Sequence, residues 1–185
     1  TLDVPGLDEP ATGRLVSIPT RHAPRLNALF LREGRYPESS GEVLISETFA
    51  NANQLGAGTQ IGAIVNGKWK RLQVVSKALS PEYVYEVRPA EIFPDNRRFG
   101  ILWMSRDAMG PAFDMDGAFN DVSFALASDA NEAEVIARVD HLLERFGGLG
   151  AYGRVDQVSN RFLSDEIRQN RVFGTIMPAV FLGVA

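Results

Sequence analysis

The chain has 185 residues, 45% hydrophobic and 23% charged, the mix of a folded domain with one good core or two small ones, and disorder of its bulk is excluded. Its 23 acids outweigh 19 lysines and arginines to give a formal net charge of −4, so no overall positive field gathers phosphate backbones and no nucleic-acid partner is expected. With no cysteine and only two histidines, His22 and His141, disulfides, thiolate catalysis, cysteine-bearing zinc sites and multi-histidine metal sites are excluded.

Residues 1–10 (TLDVPGLDEP) carry no basic-then-apolar leader; they are rich in proline, glycine and acids and read as a connector. Residues 13–19 form a short strand candidate, and Leu29, Phe30 and Leu31 precede a turn at GRYP. EVLIS (residues 42–46) is a clean strand, after which Ser46 is expected to cap a short helix through Leu55, with Phe49 and Ala50 inward and Gly56 ending it. TQIGAIV and KWKRLQVVSKAL flank Asn66-Gly67, the pair that a two-residue type I′ turn demands, and predict a hairpin.

Residues 80–98 are an irregular stretch punctuated by Pro81, Pro89 and Pro94. FGILWMS (residues 99–105) reads as a strand, and DAMGPAFDMDGAF as a short helix or turn-rich loop. VSFALA (residues 122–127) alternates as a strand should. A helix then starts at Asp129, with Glu132 as a capping partner, an apolar stripe of Val135, Val139, Leu142 and Phe146, and a stop at Gly147-Gly148. AYGRVDQV is read as a last strand, and a helix runs from about Ser159 into VFGTIMPAVFLGVA, fourteen residues without a charge. A membrane span needs about 20 apolar residues, so this run is either a buried terminal helix or a span cut at a membrane boundary.

This order predicts an α+β fold with an inserted β-rich subdomain. Residues 1–40 are expected to hold the connector and the first part of an α/β module, residues 41–115 the β-rich insertion, and residues 116–158 strand–helix–strand. Residues 159–185 then form a helix running into a truncated transmembrane segment.

No catalytic, cofactor or metal set emerges. GAIVNGK (residues 62–68) matches most of a phosphate-binding loop, but Trp69 occupies the place of the magnesium-holding hydroxyl, and the glycine and lysine fall in a hairpin. Asp114, Asp116, Asn120 and Asp121 lack the further ligands of a calcium loop and read as a solvated turn. Asp165 and Glu166 beside Arg168 and Arg171 read as a solvated helix face, and no serine-nucleophile elbow is present. Trp103 reads as core. Tyr83, Tyr85 and Phe93, in the proline-bounded stretch, are candidate partner contacts, with ordinary core packing as their alternative.

Three stretches carry a resemblance: LREGRYPESSGEVLISETFANANQLGAGTQI, RLQVVSKALSPEYVYE and NRVFGTIMPAVFLGVA. Their order resembles the extracytoplasmic domain of FtsX/MacB/LolC-LolE-type ABC transporter permeases. The family places a transmembrane helix and an initial strand–helix element before this domain. The resemblance implies a non-catalytic domain outside the inner membrane of a bacterium, with ATP hydrolysed on a separate cytoplasmic subunit. It also implies pairing with a second permease copy or homologue, a periplasmic carrier or adaptor as partner, and export or extraction of a lipid, lipoprotein or peptide. A stand-alone periplasmic binding or adaptor module is the alternative reading, and a soluble enzyme with an unrecognised site the third.

Overall fold

The structure is a computed structural model describing residues 1–20 and 23–184; His22 lies outside the described residues. The fold is α+β, and the chain divides into two units, Thr1–Ser123 and Phe124–Ala185. The division falls inside the expected strand at residues 122–127.

The first unit contains strands β1 (Leu2–Asp3), β2 (Thr12–Ile18), β3 (Phe30–Leu31), β4 (Glu42–Ser46), β5 (Gln60–Val65), β6 (Lys68–Leu79) and β7 (Phe99–Ser105). Helix α1 (Glu47–Ala52) follows β4, and α2 (Arg106–Ala112) follows β7. One mixed sheet runs β1-β5-β6-β4-β7-β2, with β3 attached to β6. The β2–β7 and β4–β6 pairs are parallel and the others antiparallel. A bridge between Leu2 and Ala11 ties the start of the chain to the residue before β2, so the sheet curls into a half-barrel.

Both faces of the central strands are covered, which is why their sequences are continuously apolar. Successive side chains on a strand point to opposite faces. Along β7, Leu102 and Met104 therefore join Val43, Ile45, Phe49, Leu72 and Val74 in one core, while Ile101 and Trp103 join Ile18, Leu44 and Val75 in the other. Gly100 makes room for the first core, since a Cβ there would sit 2.4 Å from Cγ of Phe49.

The hairpin forms as expected. Asn66 and Gly67 have φ of 48° and 72°, and Val65 pairs with Lys68. Residues 1–10 are more than a connector: Leu2 and Val4 are buried, and β1 pairs with β5. Ser46 stands at the N-cap of α1 but makes no capping hydrogen bond; its hydroxyl oxygen accepts from the amide of Ile101 instead and donates to Glu86. The helix ends at Ala52, before the expected Leu55, because Gln54 takes the left-handed conformation (φ 56°) ahead of Gly56.

The second unit holds α3 (Glu132–Leu143), single 3₁₀ turns at Glu144–Phe146 and Arg154–Asp156, and α4 (Val158–Val184). Asn131, not Asp129, caps α3, accepting hydrogen bonds from the amides of Ala133 and Glu134, and Gly147 (φ 77°) ends the helical segment. The two expected strands do not form. Residues 122–127 have no ladder partner among the described residues and leave Val122, Phe124 and Leu126 exposed, while residues 151–157 are irregular around a 3₁₀ turn and Val158 opens α4. Alternation marks a face for burial, but a strand also needs a neighbour to satisfy its backbone. Helix α4 is continuous for 27 residues, with Pro178 inside it. No helix among the described residues is long and apolar enough to cross a membrane.

Candidate functional site

The β6–β7 connection, residues 80–98, carries all three residues singled out as contact candidates. Its prolines keep it out of the sheet, since proline supplies no ladder donor. Side chains fix it instead. The Ser80 hydroxyl accepts from the amide of Glu82 (3.2 Å), and the Glu82 carboxylate accepts from Nδ2 of Asn27 (2.9 Å). Further along, Arg88 donates to Glu91 (2.9 Å) and to the carbonyl of Arg98 (3.2 Å), and Asp95 Oδ1 accepts from the amides of Arg97 and Arg98.

The candidates separate by role. The ring of Tyr83 packs on Trp103, with the Arg14 guanidinium 5.5 Å from its centroid. Burial, then the neighbouring Glu82 carboxylate, pushes the Tyr83 phenol well up. Tyr85 is half-buried, and its hydroxyl donates to the carbonyl of Ile92 (3.2 Å), so it straps the loop. Phe93 projects, 78% exposed, together with two residues that sequence reasoning missed, Ile92 at 72% and Val84 at 57%. The tyrosines stand out in the sequence by their size. The signal in Val84 and Ile92 was subtler: apolar residues in a stretch whose prolines deny it a place in the sheet.

Two carboxyls of the loop lie in low-polarity surroundings. Burial raises Glu82, with Asp121 adding to the rise, and burial raises Glu86 against the pull of its two hydroxyl donors, Thr48 and Ser46.

The other singled-out residues do not converge. Gly62 and Lys68 lie on the paired strands β5 and β6, so GAIVNGK is a hairpin and offers no cradle of amides at a helix start. At that tip, Arg71 lies 5.8 Å from the exposed Trp69 ring, but Asp3 pairs with Gly62 beside it and Asp114 accepts from Asn66, so the local charge is mixed. Asp121 lies 3.9 Å from Arg14. Among the described residues no group of three or more potential ligands could hold a metal. Exposed Arg168 lies 3.8 Å from Asp165 on α4, and His141 is exposed on α3.

The GRYP turn has a structural task. Arg35 donates twice to Glu42, at 2.7 and 2.6 Å, and the same carboxylate accepts from the amides of Glu38 and Ser39. The turn is thereby locked onto the first residue of β4. Comparison with protein families, curated proteins and solved structures gives no match for this chain.

Proposed function

We propose that this chain is the non-catalytic extracytoplasmic domain of an FtsX/MacB-like ABC transporter permease, held at the inner membrane of a bacterium. The observation that carries the reading is α4. Its charges, from Arg161 to Arg171, are confined to its first half, and residues 172–184 carry none while Phe173, Ile176, Met177, Phe181 and Leu182 stand exposed. A helix that changes from charged to wholly uncharged along one axis suits a passage from water toward lipid. In this reading the family's β-rich insertion, expected over residues 41–115, holds β4 to β7, which share their sheet with β1, β2 and β3.

A separate cytoplasmic ATPase then supplies the motion, a second permease copy or homologue completes the transporter, and no cofactor is needed in this domain. The 80–98 loop, through Val84, Ile92 and Phe93, meets a carrier or adaptor, and the cargo is a lipid, lipoprotein or peptide.

Because the chain has no cysteine, a single Asp8→Cys change gives a clean topological reporter. In an otherwise cysteine-free full-length protein, a membrane-impermeant maleimide should label it in cells with only the outer membrane opened, and an ATPase subunit should copurify. Labelling only after lysis overturns the extracytoplasmic placement. Labelling without an ATPase favours a stand-alone periplasmic module.

A further inference from the structure

Glu86 is the one carboxylate of the 80–98 loop that is buried outright, 7% exposed. Its Oε2 accepts from the Ser46 hydroxyl (2.7 Å) and its Oε1 from the Thr48 hydroxyl (2.6 Å). The Ser46 oxygen also accepts from the amide of Ile101 (3.3 Å). One carboxyl thus joins the loop to the end of β4, the start of α1 and the backbone of β7.

No cation among the described residues forms an ion pair with it. Several charged groups on the elements packed around it have other partners: Glu47 of α1 pairs with Arg32, Lys77 of β6 with Asn51, and Arg88 of the loop with Glu91. Arg98, ahead of β7, pairs with Glu9, and Glu42, at the far end of β4, pairs with Arg35. Among the described residues none of them forms an ion pair with Glu86. A buried carboxylate without a counter-charge favours its neutral form, whereas the same group released to water favours the ionised one.

We propose that Glu86 is a proton-operated clip, pinning the 80–98 loop to the β4–α1 corner when neutral and releasing it when ionised. Two hydroxyls suit this task better than a lysine would. A hydroxyl can donate to the carboxylate or accept from the carboxylic acid, so the clip closes without an ion pair that would hold the charged form in place. Release loosens the segment that carries Val84, Ile92 and Phe93. The proposal concerns the regulation of the contact loop, but its test requires no partner.

The sign follows from linkage. Burial raises the Glu86 carboxyl above its ordinary value. The clip is therefore fully closed below the ordinary carboxylate range and weakens as pH rises through the raised folded value. Glu82 shifts in the same direction in the same loop, so its own share of the pH dependence is measured separately, in Glu82→Gln.

The experiment is hydrogen exchange of the loop amides in the whole chain, as protection factors corrected for intrinsic exchange, from about pH 5 to about pH 8. In the parent, loop opening should rise by up to about tenfold per pH unit and then level off, while β7 amides stay protected. Glu86→Gln should remove most of that rise and hold the loop near its protected end, and Glu82→Gln should remove only the smaller share of the less buried Glu82. A pH-independent parent loop, or a rise that is undiminished in Glu86→Gln, overturns the clip. Should Glu86→Gln disturb packing, the pH at which the Glu86 carboxyl titrates in the parent, read by NMR, decides alone: a value at or below the ordinary carboxylate pKa refutes it. Loss of partner binding in Phe93→Ser concerns the contact surface and leaves the clip untouched.

Discussion

The ring of Tyr83 meets the indole of Trp103 edge to face, centroids 6.2 Å apart and planes at 64°. Trp103 is buried within the sheet, so Tyr83 is one point at which the 80–98 loop joins the core, as Glu86 is another. Tyr83→Ser should lower stability by about 1–3 kcal/mol through lost burial and a lost aromatic pair. Phe93→Ser, on a projecting side chain, should stay within about 0.5 kcal/mol of the parent. Urea melts of both variants check this. Equal stability in Tyr83→Ser would return that residue to the contact surface beside Phe93.

The legibility of this chain divides at the same place as its two units. In the first, local signals and tertiary packing agree: Asn66-Gly67 fixes the hairpin, and the apolar runs EVLIS and FGILWMS are strands covered on both faces. Leu2 and Val4 were hidden among prolines and acids, because their burial depends on a pairing with β5 some sixty residues away. Ser46 was legible as a helix start but not as a ligand of Glu86, since a hydroxyl's partner is set by long-range contact and not by its neighbours. In the second unit VSFALA has the period of a strand and no partner for its backbone. Periodicity predicts which face seeks burial, not whether the surface that buries it is at hand.

The Arg35–Glu42 pair makes an acid-side prediction. Arg35, then the amides of Glu38 and Ser39, hold the Glu42 carboxyl down to about 2. A depressed carboxyl contributes stability that is present above its unfolded value near 4.5 and is lost as pH falls through the folded one. In Arg35→Met the Glu42 carboxyl should titrate closer to its ordinary value, and the acid unfolding midpoint should move to higher pH. A carbon-detected NMR titration of both proteins measures the first, and circular dichroism against pH the second. An unchanged Glu42 titration would show that the two amides alone set it.

Gly100 and Phe49 make a second coupled pair, this one steric. A methyl at position 100 would meet the Phe49 ring at Cγ and Cδ1, 2.4 and 2.7 Å away, in a core with no slack. Gly100→Ala should cost about 1–3 kcal/mol by overpacking. Phe49→Ala alone should cost about 3–5 kcal/mol by opening a cavity. Combined, the two should cost clearly less than their sum, because the methyl then enters the space the ring has left. A double-mutant cycle by urea unfolding checks the coupling, and simple additivity would mean that the backbone around Gly100 shifts instead.

The last prediction concerns the uncharged end of α4. Both cores of the first unit draw only on residues before Asp114, so removing residues 172–185 should leave the main unfolding transition of that unit in place. The same deletion removes Phe173, Ile176, Met177, Phe181 and Leu182, which together offer a large exposed apolar surface without a single charge. The intact chain should float with uncharged phosphatidylcholine vesicles at low and high salt alike, since the attraction is apolar and not electrostatic. The shortened chain should partition at least about tenfold less, because the first half of α4 carries Arg161, Asp165, Glu166, Arg168 and Arg171 and gains little from lipid. Flotation of both chains would place the lipid contact elsewhere. Flotation of neither would mean that the apolar end of α4 is made to pack against protein, and the permease reading would lose the observation that carries it.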